Sequence, residues 1–170
     1  DTLAKEIHNN RKKVIPELIQ QLQSILSGLG MTNAQFKIEC VLSDTFYYNG
    51  KDELSILFSA NKGGQFNELK KAASGGELSR IMLAIKSVLA KYVQLPTIIF
   101  DEIDTGVSGE ISNKMGDIML LMSKSMQVIS ITHLPQIAAK GHTHYKVYKE
   151  DVNDVTSTNM MKLNHDERIV

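Results

Sequence analysis

Cysteine is almost missing from this chain of 170 residues: Cys40 stands alone, which excludes an internal disulfide framework and suits a reducing cytoplasm. An excess of either charge is missing too. Nineteen basic residues balance 19 acidic ones, for a formal net charge of zero. That balance excludes a globally basic nucleic-acid binder, and any DNA-facing surface has to be a local patch. No apolar run approaches membrane-spanning length, no signal-peptide pattern opens the chain, and no internal repeat is apparent. What remains is 42% hydrophobic content, enough to bury one sizeable core and to favour one main domain. The chain opens at Asp1, without methionine and directly on helix-forming residues, and reads as a piece of something longer.

Hydrophobic periodicity organises that content. Leu3, Ile7, Val14, Leu18, Leu22, Ile25 and Leu29 recur at helical steps, with Arg11 filling the one gap. This near-heptad stripe predicts a helix over 3–29, kinked or restarted at Pro16 and ended by Ser27-Gly28-Leu29-Gly30. Two readings fit it: the returning root of a coiled-coil arm, over residues 1–30, or an amphipathic helix on a globular core. Phe36, Ile38, Cys40 and Leu42 alternate with polar neighbours, as do Leu54, Ile56 and Phe58 beyond Asn49-Gly50, which predicts a hairpin. Helical patterns over 75–93 and 109–125 then alternate with apolar strands at 97–101 and 128–132. A short helix near 135–140 and strand-like runs at 145–148 and 156–163 complete the pattern. Strands alternating with helices predict an α/β lobe over 31–170, with a mostly parallel sheet flanked by helices.

Three segments carry chemistry. In the first, Ser74-Gly75-Gly76-Glu77, serine at a helix start with glutamate three residues on forms a capping box. A capping box needs no glycine pair, whereas backbone approaching a phosphate does, and free N-terminal amides at the positive helix end bind anions. In the second, Thr97–Glu102, a buried strand carries Asp101 and Glu102 at its C-terminal end, where ligands of open α/β sheets bind. Adjacent carboxylates there meet either solvent, as an ordinary strand end, or a cation or proton. In the third, an apolar strand ends in His133, a position where histidines are often structural. His142 and His144 have ligand spacing on a strand but no third ligand nearby, which argues against zinc. Met115, Met119, Met122 and Met126 step along one helix face as core filling. Lys70, Lys71, Arg80, Lys86 and Lys91 surround the Ser-Gly-Gly helix, either as a solvated face or as a DNA-facing patch.

The stretches Ala73–Arg80, Ile98–Gly109 and Ile131–Ala139 together resemble the ATPase heads of the ATP-binding-cassette superfamily, in its chromosome-maintenance (SMC-like) branch. Within that branch the wording is similar to the RecN family of bacterial DNA repair proteins. The likeness extends to Leu29–Met31, Ser59–Gly64 and Asp166–Val170, hence to nearly the whole chain. It implies the C-terminal half of an ATPase head using ATP and Mg2+ in DNA double-strand break repair, in the cytoplasm at the nucleoid and away from membranes. It further implies that Ser74, Gly75, Gly76 and Glu77 bind the γ-phosphate of ATP held by a second copy of the head. Asp101 would hold magnesium through water, Glu102 would polarise the attacking water, and His133 would sense the γ-phosphate. The loop with Asp104 and Ser108 would cross the dimer interface. The wider superfamily places aspartate where Ser108 stands, which leaves an N-cap as its alternative role.

No Gly-x-x-x-x-Gly-Lys-[Ser/Thr] occurs in the chain, so the loop that cradles the β- and γ-phosphates has to come from elsewhere. The resemblance places it in the N-terminal half of the same polypeptide, beyond a coiled coil. Two other classes share these motifs. One is a transporter subunit, against which the opening helix and the Asp101–Gly109 wording weigh; the other is a structural tether that binds ATP with negligible turnover.

Overall fold

The computed structural model describes residues 1–107, 109–152 and 155–168, apart from the side chains of Lys70, Ala72 and Val152. Ser108 lies outside the described residues, and so does its role as interface residue or N-cap. Helix α1 (Thr2–Gly28) leads into the strand pair β1 (Gln35–Tyr47) and β2 (Gly50–Ser59), followed by β3 (Asn67–Glu68) and α2 (Leu69–Ala72). Next come α3 (Gly75–Leu89), β4 (Thr97–Asp101), α4 (Gly109–Met122), β5 (Gln127–Ile131) and α5 (Pro135–Ala138). Strands β6 (Tyr145–Val152) and β7 (Val155–Lys162) and a 3-10 turn at Asp166–Arg168 close the chain.

Pro16 neither ends α1 nor restarts it: the helix runs 27 residues through it. Proline withholds one helical N–H, a loss a long helix absorbs. The stripe read from sequence has two fates. At its end Leu22 and Leu29 are buried in the core with Phe36, Phe58, Ile81, Leu83 and Met115, while Ile25 is only partly buried and its neighbour Leu26, outside the stripe, takes the buried place. The stripe's first turns are not buried, since Leu3 and Val14 remain 69% and 57% exposed. The Met115, Met119, Met122 and Met126 stripe is buried core, as its spacing predicts.

β1 and β2 form the expected antiparallel hairpin, with Phe36 opposite Phe58, Ile38 opposite Ile56 and Cys40 opposite Leu54. The polar interruption at Arg11 has its explanation here. Asp52 of β2 is 6% exposed, accepts from Arg11 at 2.7 Å and pairs with His8 Nδ1 at 2.5 Å, while Arg11 also donates to the Asn49 carbonyl. These bonds clamp the first half of α1 to the hairpin tip. Burial on its own would raise the Asp52 pKa, but the hydrogen bonds from Arg11 and His8 outweigh it and hold the carboxyl below its ordinary range. A depressed folded pKa gives stability that is complete above the unfolded carboxylate range and is lost as pH falls through the folded value. Thermal unfolding followed below the ordinary carboxylate range should show an acid loss that Asp52→Asn reduces.

Among the described residues, parallel pairing is confined to β4 and β5, in register from Thr97–Gln127 to Asp101–Ile131, with α4 as the crossover. The mostly parallel sheet expected from sequence is therefore met at this pair, while β1–β2, β2–β3 and β6–β7 pair antiparallel. The reason is the length of the connections: short turns permit only antiparallel neighbours, and a parallel pair needs a helix-long return. α3 stops at Leu89 rather than 93, as the bonds tighten to Lys91 N–Val88 O and Tyr92 N–Leu89 O before Pro96.

Candidate functional site

The segment after β4 is the hub of the site. Ile98 and Phe100 face the core, and the alternation leaves Asp101 on the open face with Ile99. Glu102 follows with φ of 44°, a left-handed conformation that costs a non-glycine residue about 1–3 kcal/mol. Its own backbone bonds hold it there. The Glu102 N–H donates to the Ile131 carbonyl at 3.0 Å, and its carbonyl accepts from Thr105 Oγ1 at 2.9 Å. Both carboxylates are exposed at the C-terminal end of a parallel strand, where a cation and a polyanion have access.

The start of α3 packs against this hub. A Cβ on Gly76 would lie 3.2 Å from the Thr105 carbonyl oxygen and 3.7 Å from that of Gly106, so backbone closeness explains the glycine. Gly75 has nothing within 4 Å of its Cβ position, which leaves room for a ligand. The two glycines thus answer different needs, a distinction the sequence does not contain. Ser74 N–H and Ser74 Oγ both donate to Glu77 Oε2, at 2.8 and 2.9 Å, which realises the carboxylate half of the capping box.

His133 sits just past β5 with its side chain 64% exposed, and its Nδ1 is 3.8 Å from Asp104 Oδ1. Asp104 is where the structure departs most from expectation. As a residue of an interface loop it should lie open, yet it is 1% exposed and accepts a hydrogen bond from Thr132 Oγ1. The chain turns inward there because the end of β5 supplies a donor, and a buried carboxylate has to find one. Glu102, Thr105–Gly106 and Asp104 therefore bring the three sequence segments together around one loop.

Arg80 also departs from the surface role open to it in sequence, since it is partly buried and donates to the Leu29 carbonyl at 3.2 Å. Lys71 pairs with Glu68 at an exposed position, and the Lys70 side chain lies outside the described residues. His144 donates from Nε2 to the Gly141 carbonyl at 3.1 Å, before β6 begins. Sequence reasoning missed the grouping of His8, Cys40 and Asp52, whose polar atoms lie within 4.8 Å of one another. Residues so far apart in the chain leave no pattern to find. Both Asp52 oxygens are engaged by His8 and Arg11, so the group acts as a clamp. Burial first, and then the Asp52 charge, raise the Cys40 pKa and keep it a thiol.

No protein-family model matches the chain. Curated relatives match it almost end to end. "DNA repair protein RecN" of Vibrio cholerae is 39% identical over 168 residues, 98% of this chain. That of Rickettsia typhi is 40% identical over 166 residues, again 98% of this chain. The chain is RecN-like over nearly its whole length. It spans about 30% of the length of these relatives. RecN-like wording thus coincides with an SMC-type fold: the Smc head domain with a coiled coil and joint from Pyrococcus yayanosii aligns with a TM-score of 0.70, at 20% identity. That alignment covers 97% of this chain and 31% of the other. An Smc head from Pyrococcus furiosus, bound to the C-terminal domain of ScpA, aligns at 0.65 over 95% of this chain and 38% of that one. At such identities the likeness concerns the fold alone. The fold is α/β, that of part of an SMC-type head, and no helix among the described residues is long and apolar enough to cross a membrane.

Proposed function

We propose that this chain is the C-terminal half of the ATPase head of a RecN-like protein acting in DNA double-strand break repair. ATP pairs two heads and hydrolysis releases them, which couples nucleotide state to holding DNA. The convergence of the Ser74–Glu77 helix start, the Asp101–Glu102 strand end and His133 on one loop, in a RecN-like chain, carries the reading.

Each group has a role its chemistry suits. Exposed Asp101, on the open face of β4, would hold Mg2+, and the ion would supply charge neutralisation for the phosphates. Glu102 orients the attacking water and accepts its proton. Ser74, Gly75, Gly76 and Glu77 present helix-terminal amides to the γ-phosphate of ATP on the partner head, with open space at Gly75 for the approach. His133 contacts the same phosphate, and Asp104 and Ser108 belong to the loop between sites. Residues 1–30 are the root of a returning coiled-coil arm, and 31–170 form the C-terminal lobe.

The N-terminal half of the same polypeptide supplies the phosphate-binding loop and covers the bare face of β4–β5. Ile99, Ile129 and Ile131 are 60%, 41% and 52% exposed there, an apolar patch that calls for a cover. The protein works in the cytoplasm at the nucleoid. The test compares magnesium-dependent ATP turnover of the complete protein, with and without DNA, with that of this chain. The complete protein should turn over ATP and respond to DNA, whereas the chain alone should bind ATP weakly and hydrolyse it negligibly. Robust turnover by the chain alone would refute the half-head reading.

A further inference from the structure

We propose that Asp104 is a positioning residue that orients the His133 imidazole toward the terminal phosphate, an inference that rests on the ATPase reading above. The carboxylate is 1% exposed, and its two oxygens are treated differently. Oδ2 accepts from the Thr132 hydroxyl, whereas Oδ1 is buried without a hydrogen-bond partner. A buried carboxylate oxygen left unpaired gives up its hydration for no return, so it marks a partner that arrives in another state. His133 Nδ1, 3.8 Å from Oδ1, is too far for a hydrogen bond and close enough to form one with a small ring movement.

The backbone around His133 is already pinned to the same carboxylate. Thr132 donates to Asp104, and the Leu134 N–H donates to Thr132 Oγ1 at 3.0 Å. Both chain neighbours of His133 are therefore fixed, while its side chain stays 64% exposed and free to turn. When nucleotide draws the ring in, Nδ1–H donates to Oδ1, which leaves Nε2 on the outer side. With both ring nitrogens protonated, Nε2–H donates to a phosphate oxygen and Asp104 balances the ring's charge from behind. Loose contacts without substrate that tighten in the reactive complex are common for catalytic groups. Asp104 touches neither phosphate nor water and acts only through His133.

The test is a double-mutant cycle in the complete protein with Asp104→Asn, His133→Gln and the pair. Asp104→Asn keeps the shape and removes the charge, and should lower kcat by about ten- to a hundredfold, the scale of a misplaced catalytic group. In the His133→Gln background it should lower kcat no further. The same factor in both backgrounds would overturn the proposal, because a purely structural role does not depend on the histidine. A second measurement needs no Asp104 variant: 15N spectra of the imidazoles, with His133 assigned by its loss in His133→Gln. With ATP bound, His133 Nδ1 should be protonated, and an unprotonated Nδ1 would overturn the proposal even if Asp104→Asn failed to fold. Turnover of Glu102→Gln separates the two levels. If it is slowed while the cycle is additive, the Asp104 inference alone fails; if it matches the parent, the ATPase reading fails and takes this inference with it.

Discussion

Glu102→Gln in the complete protein should slow ATP turnover by about 10²–10⁴-fold, the usual contribution of a positioned general base, while ATP still binds and the paired heads accumulate. Glutamine keeps the size of the side chain and loses its ability to take a proton. The left-handed backbone at this position is held by the bonds of Glu102's own main chain, its N–H donating to the Ile131 carbonyl and its carbonyl accepting from Thr105 Oγ1, so the substitution leaves the local geometry in place. Asp101→Asn should behave differently. It weakens the magnesium–nucleotide complex, so binding measured with and without Mg2+ should lose its metal dependence. Parental turnover in both variants would end the assignment of these carboxylates.

Ser74→Arg should abolish ATP-driven head pairing while one head still binds ATP. Ser74 is exposed at the start of α3, next to the open space at Gly75, and an arginine there fills the room meant for a phosphate on the partner. The substitution also removes the Ser74 Oγ bond to Glu77, costing roughly 1 kcal/mol, which a folded domain survives. The Ser74 N–H bond to the same oxygen persists. Mixing this variant with one lacking the phosphate-loop lysine distinguishes the mechanisms. A site built between two chains predicts partial recovery of ATPase activity, since each mixed dimer keeps one competent site. A signature helix acting on its own chain's nucleotide predicts no recovery at any ratio, and that result would defeat the composite site.

Local pattern made much of this molecule legible. The hairpin, the β4 strand and the Ser74–Glu77 helix start follow from periodicity and capping chemistry within short windows, where neighbours in sequence are neighbours in space. The buried methionine stripe followed for the same reason. The sheet's strand directions were harder, because pairing depends on how far the chain travels between strands. The clamp of His8, Arg11 and Asp52 was invisible, since a residue that breaks a hydrophobic stripe gives no sign of its partner.

By itself, the sequence determined the helix and strand types, the positions of Ser74, Asp101, Glu102 and His133 at element ends, and the RecN-like wording, all of which rest on local spacing. Only the tertiary structure decided which of those residues face inward. Asp104 reads in sequence as one more loop carboxylate, yet folding buries it under His133 because the end of β5 brings the Thr132 hydroxyl to it. Arg80 reads as surface charge, yet it reaches the Leu29 carbonyl where α1 ends. A buried polar group is placed by the partner that satisfies it, and that partner is chosen by the packing of distant elements rather than by neighbouring residues.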